Sequence, residues 1–257
     1  MRSVELDHLS YSSISLWQSC SRAWAFRYVE KVAVPTATAL IFGSAWHDTI
    51  EAAVANPLVN IGAIWSEKWA ARAAQPNIEW AAETPESLHN EGMRLLSDAT
   101  VRETILNLKP LYDEEERPVV ERKVSLSVPG VSIPIIGYVD MIAWDCVPCD
   151  FKTSARSWDN GRAAGELQPL IYLAALNQEG FTAHDWKFRH LVFVKTKKPQ
   201  VQVIEHAHRP LEAFWLFDTI KNVWQAIQAG VFTENPSSWR CNAQYCEYYA
   251  RCRGRYG

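Results

Sequence analysis

Gly137-Tyr138-Val139-Asp140 is followed ten residues later by Asp150-Phe151-Lys152, and the spacing suggests hydrolytic chemistry. Residues 135–144 are dense in β-formers and are predicted to form a strand. A tight turn is expected from Asp145 to Pro148, with a second short strand carrying Asp150 and Lys152. Alternate residues of a strand share a face, so Asp150 and Lys152 emerge side by side and Phe151 turns away. Pairing the two strands brings Asp140 toward Asp150. Two carboxylates held together repel, and a hard divalent cation lets both stay ionised. A lysine beside them can orient water or stabilise developing negative charge. These parts suffice for metal-dependent phosphodiester hydrolysis. The bland alternative is a hairpin with charges on its wet face.

The elements around this pair are legible in outline. Ser10 to Lys31 reads as one helix behind a serine cap, with Ile14, Trp17, Cys20, Trp24 and Tyr28 on its apolar face. Phe42 to Ala55 reads as a second helix carrying His47, and 58–74 and 86–108 as two more. Residues 1–110 are therefore expected to be mostly helical. Val119 to Val128 alternates as a strand, with Val120, Val124, Leu126 and Val128 on one face and Glu121, Lys123, Ser125 and Ser127 on the other. A helix over 161–178, strands at 190–195 and 201–206, and a helix over 210–229 complete residues 111–230. The order predicts a single α/β (α+β) domain over 1–257. A mixed sheet is flanked by helices, and 231–257 is a Cys-rich tail.

Composition is that of a globular chain of 257 residues, 48% hydrophobic and 21% charged, with net charge −3. A nucleic-acid partner would therefore have to be met by local rather than global positive charge. Most of the twelve tryptophans are expected in the core, a minority being free to stack on bases. No apolar run suits a membrane span or a signal peptide, so a cytoplasmic protein is expected. No phosphate-loop motif marks a motor.

Cys241, Cys246 and Cys252 lie within twelve residues, and Cys20 is the obvious fourth thiol. Four thiolates suit an iron–sulfur cluster or zinc. Gaps of four and five residues favour the bulkier cluster, since structural zinc usually takes close pairs. Such a centre would tie the first helix to the tail. Cys146 and Cys149 at the hairpin turn read as incidental thiols.

In this order the motifs resemble the RecB-type branch of the PD-(D/E)XK nuclease superfamily. Within that branch they resemble the iron–sulfur exonucleases of CRISPR adaptation, AddB subunits and phage genomes. The likeness runs from Tyr11 to Cys252. It rests on Ser-x-Ser-x-Ile-x-x-Trp-x-x-Cys20, Gly43-x3-His47, Glu121, Gly137-x-x-Asp140, Asp150-x-Lys152, Gln168-x3-Tyr172 and the cysteine triplet. The family commonly spaces that triplet x2 then x5, whereas here it is x4 then x5.

The resemblance implies a restriction-endonuclease-like fold and a DNA exonuclease acting on single strands. It implies Mg²⁺ or Mn²⁺ held by His47, Asp140, Asp150 and the Phe151 carbonyl, with Glu121 outer-sphere or simply solvated. Lys152 would position the attacking water. Gln168 and Tyr172 share a helix face, which the likeness sets beside the site. It also implies a [4Fe–4S] cluster on Cys20, Cys241, Cys246 and Cys252, with Zn²⁺ the lesser alternative. Lys195, Lys197 and Lys198 are candidate phosphate contacts or merely an edge turn kept soluble. Arg240, Arg251, Arg253 and Arg255 either track DNA or offset the charge of the thiolates. A helicase, recombinase or CRISPR-adaptation partner would supply opened DNA in recombination, repair or phage DNA processing, inside a bacterial or phage-infected cell. Two other classes remain open: a non-catalytic DNA-binding adaptor, and a zinc-stabilised interaction module.

Overall fold

The computed structural model describes residues 4–254, apart from the Asn160 side chain. Arg255 lies outside the described residues. The chain opens with α1 (Tyr11–Ser19), α2 (Ser21–Tyr28), β1 (Thr36–Ala37) and α3 (Thr38–Ala55). It continues through α4 (Ile61–Ala73), β2 (Ile78–Glu79), α5 (Pro85–Ser97) and α6 (Ala99–Leu106). Five strands follow: β3 (Val120–Leu126), β4 (Ile135–Ile142), β5 (Pro148–Ser154), β6 (Lys187–Val194) and β7 (Gln200–Ala207). α7 (Asn160–Gly165) and α8 (Leu167–Gln178) cross between β5 and β6, and α9 (Glu212–Gln228) and α10 (Tyr249–Arg253) close the fold.

The five strands pair in sequence order, and only β5 and β6 run parallel. One sheet face packs against α1, α2, α8 and α9 through Ile14, Trp24, Leu173 and Ile220. The other packs against α3 to α6 through Trp46, Trp65, Leu95 and Ile105. This is the expected mixed sheet flanked by helices. Six tryptophans are buried, Trp17, Trp80 and Trp186 pack part-buried against the core, and Trp144, Trp215 and Trp239 are exposed, so the core takes most of them. Among the described residues, no helix is long and apolar enough to cross a membrane.

Three local readings differ from expectation. The helix expected over 10–31 breaks at Cys20, whose backbone is extended (φ −164°, ψ 105°). The cause lies far along the chain. Ser21 Oγ and Thr233 exchange hydrogen bonds at 2.8 and 3.1 Å, Arg22 N–H donates to Thr233 O, and Asn235 Nδ2 donates to Ser19 O. The tail thus satisfies the groups that the break exposes. The helix expected over 86–108 is two, because Asp98 accepts from the amides of Thr100 and Val101 and starts α6.

Third, the alternation of the first long strand reverses part-way. Val124 and Leu126 face the α8 side, as expected, but Val120 packs on the α3 side. β4 reverses too, with Val139 on one side and Met141 on the other. The reversal falls at Glu121, whose φ is +45°, opposite Asp140 in the register. A left-handed backbone inside a strand is uncommon for a side chain of this size and is characteristic of functional sites.

Candidate active site

β4 and β5 share only the pairs Met141↔Cys149 and Ile142↔Pro148, then part. In the fork the Phe151 N–H donates to Asp140 Oδ2 at 2.5 Å. A side chain here takes the donor that a longer ladder would have used. His47 reaches in from α3, its Nδ1 3.4 Å from the same oxygen. Glu121 joins them from the reversal in β3. Ligand atoms of His47, Glu121 and Asp140 all lie within 4.8 Å of one another. Phe151 itself turns away into the α3-side core, as expected.

From the other side, Lys152 Nζ lies 2.8 Å from both oxygens of buried Asp150 and donates to Oδ1. Asp150 Oδ2 makes no hydrogen bond among the described residues. The same ammonium donates to Gln168 Oε1 at 3.0 Å, and Gln168 Nε2 donates to the Tyr172 hydroxyl at 3.0 Å. Lys152 is therefore fixed by α8 as well as by its own strand. Gly137 makes room for this: a Cβ there would stand 2.4 Å from the Tyr172 ring.

A divalent cation suits these donors. One imidazole and two carboxylates converge, and buried Asp150 keeps one carboxylate oxygen with no hydrogen bond, only the charge contact with Lys152. The electrostatics agree. Burial, then Asp140 and Glu51, pushes Glu121 up to about 7. Burial opposes the His47 imidazolium, but the nearby carboxylates outweigh it and hold the ring above its ordinary pKa. Burial also raises Asp150 against the pull of Lys152. A cation must displace protons from Glu121 and His47. Affinity for Mn²⁺ is therefore expected to climb as pH rises from 6 to 8, with proton release on binding. Titration calorimetry in buffers of different ionisation enthalpy measures both. Equal affinity at the two pH values would remove Glu121 and His47 from the ligand set.

Ser44, Asp48, Glu51 and Arg72 escaped the motifs that mark His47, Glu121 and Asp140. Ser44, His47, Asp48 and Glu51 share one face of α3 and line a cavity of about 430 Å³ with Arg72, Glu121 and Asp140. Their spacing of three and four was the available signal. Arg72 holds Asp48 through two hydrogen bonds of 2.7 and 2.8 Å, which pins α4 to the His47 helix. The Tyr11 hydroxyl donates to Glu166, two residues before Gln168. Burial, then that carboxylate, keeps its proton on.

The remaining candidates divide. Cys20, Cys241, Cys246 and Cys252 line one small cavity with Phe26 and Tyr248. Arg253 points to the Cys241 sulfur at 3.9 Å, whereas Arg240 and Arg251 pair with Glu247 and Glu30. Cys149 is buried, and that burial pushes its thiol up to about 12. It and Cys146 are free thiols. Lys197 and Lys198 are exposed. Lys195 is committed elsewhere, pairing with Glu91 at 2.9 Å above the Phe42 ring.

A sheet opened between two strands, with His47, Glu121 and Asp140 grouped beside the opening and a tethered lysine next to it, is an arrangement that can serve metal-dependent hydrolysis. The model of the PD-(D/E)XK nuclease superfamily matches residues 8–253, and the chain belongs to that superfamily. No curated protein sequence matches it. Seven solved chains match. One, described as "Putative exonuclease" from Eubacterium rectale, is 12% identical with a TM-score of 0.63. That match covers 98% of this chain and 89% of the other, a likeness of fold.

Proposed function

We propose that this nuclease is a metal-dependent DNA exonuclease of the RecB-like branch, acting on single strands as one unit over 1–257. The fork supports this reading: Asp140 accepts from the Phe151 N–H there, His47 and Glu121 lie beside Asp140, and Lys152 is tethered to Asp150 on the same strand. Asp140, Glu121 and His47 would hold Mg²⁺ or Mn²⁺, with Asp150 Oδ2 and the Phe151 carbonyl completing the shell. The cation, when bound, supplies Lewis-acid charge at the phosphate and lowers the pKa of water. Lys152 holds a proton at Nζ, orients the attacking water and faces the charge that develops on the phosphate oxygens. Gln168 and Asp150 keep that ammonium in place. Lys197 and Lys198 would meet phosphates outside the fork.

The experiment is digestion of end-labelled single-stranded DNA by anaerobically purified protein with Mg²⁺, Mn²⁺ or EDTA. Metal-dependent ladders growing from one labelled end support the exonuclease and give its polarity. No cleavage with any metal would overturn it in favour of a DNA-binding adaptor.

We further infer that Cys20, Cys241, Cys246 and Cys252 hold a [4Fe–4S] cluster. The four cysteines line one cavity, and their gaps of four and five residues favour the bulkier cluster over zinc. The aromatic and apolar lining and the Arg253 donor suit an anionic cluster. Cys246→Ala is expected to lose visible absorbance and iron and to melt several degrees lower. Full iron content with an unchanged melting temperature would dismiss the ligand assignment.

A further inference from the structure

On the Lys152 face of the sheet, beyond β6, lies a second concavity of about 680 Å³, within the range of small-molecule sites of roughly 300–1,000 Å³. The register places it. Asp150 pairs with His190, and Phe188, two residues before His190, pairs with His206. Paired and alternate strand residues share a face, so His206 stands on the side that carries Asp150 and Lys152. Glu166 is part of its wall and also accepts the Tyr11 hydroxyl. The concavity therefore begins two residues from Gln168, the partner of Lys152.

Its lining is amphipathic. Leu170, Leu211 and Trp215 supply apolar walls, and Glu166 and Glu212 supply carboxylates. His208 is buried in the lining, with Nδ1 3.2 Å from Glu212 and Nε2 without a hydrogen-bond partner. α9 buries Leu216, Ile220, Val223, Trp224 and Ile227 against the core, yet leaves Leu211, Phe214 and Trp215 exposed, Trp215 at 58%. Two carboxylates in the wall repel a phosphate. A flat apolar face with polar acceptors around it suits a base, and Arg209 at the rim stays exposed while pairing with Glu212 at 2.9 Å.

We propose that this concavity binds an unpaired nucleobase of the DNA strand near the scissile phosphate, stacked on Trp215. The inference rests on the nuclease reading for its ligand and adds a site that lies outside the cation donors. It gives single-strand preference a cause, because a base held in a duplex has no free face to offer.

The test measures binding of fluorescent single-stranded oligonucleotides by anisotropy in EDTA. It compares the wild type, Trp215→Ala and Trp215→Phe, using strands that each carry one abasic position. Trp215→Ala is expected to bind roughly tenfold more weakly, the range for loss of one stacked base. Trp215→Phe should recover most of that. On strands lacking the base at one fixed distance from the end, Trp215→Ala and wild type should bind alike. Equal affinity of Trp215→Ala and wild type on intact strands would overturn the proposal, as would a deficit that persists at every abasic position. Parallel digestion with Mg²⁺ separates the two readings. Binding that follows this pattern without cleavage removes the nuclease reading and leaves the base site standing.

Discussion

Lys152→Ala is expected to cut the single-turnover rate on single-stranded DNA by about 10³-fold, the usual cost of removing one well-placed stabiliser of developing charge. Affinity for DNA should change little, because Lys197 and Lys198, proposed to meet phosphates, lie outside the fork. The size of the effect follows from the setting. The ammonium is held by Asp150 and Gln168 at 2.8 and 3.0 Å, so it loses little entropy at the moment of reaction. Burial disfavours its charge, but Asp150 more than restores it and Lys152 stays protonated. Lys152→Arg should recover little, since a planar fork cannot keep both contacts of a point charge. Wild-type rates for Lys152→Ala in quenched-flow digestion would remove the residue from the mechanism.

Gly137→Ala is expected to be the more damaging change to the protein as a whole. The new methyl would meet Tyr172 Cε1 at 2.4 Å and two further ring atoms at 3.2 Å. Tyr172 is 6% exposed and packs toward Phe188, so the ring has little room to retreat. Overpacking of this kind costs about 1–3 kcal/mol, or several degrees of melting temperature in a chain of this length. The displaced hydroxyl would release Gln168 and, through it, Lys152, so kcat should fall with KM nearly unchanged. Tyr172→Phe separates the two effects. It keeps the ring and removes the hydroxyl, so it should retain most of the melting temperature and still lower kcat. An unaltered kcat in Tyr172→Phe would show that Gln168 needs no help in placing the lysine.

The chemistry at the fork was legible because it rests on local rules. Asp150 and Lys152 meet by strand periodicity, and Asp140 comes across by hairpin pairing. The polar face of α3 was equally local, and its spacing marks Asp48 and Glu51 alongside His47. What stayed hidden depends on distant partners. Nothing near Cys20 announces a helix break, since the groups that fill it belong to Thr233 and Asn235. Alternation in β3 hid the reversal at Glu121, because periodicity assumes an unbroken backbone twist. Lys195 looked like its neighbours Lys197 and Lys198 until Glu91 and Phe42 claimed it.

The bonds between Ser21, Arg22 and Thr233 also bear on when the enzyme can work. Tyr11 reaches Glu166, two residues from Gln168, and Ser21 reaches Thr233, which leaves the ribosome more than two hundred residues later. A nascent chain already owns Asp140, Asp150 and Lys152 while α1 and α2, which share a core with α8, still wait for their anchor. A fragment ending before Thr233 is therefore expected to carry every cutting residue and to cut poorly. Delayed completion of this kind would spare DNA from unfinished copies.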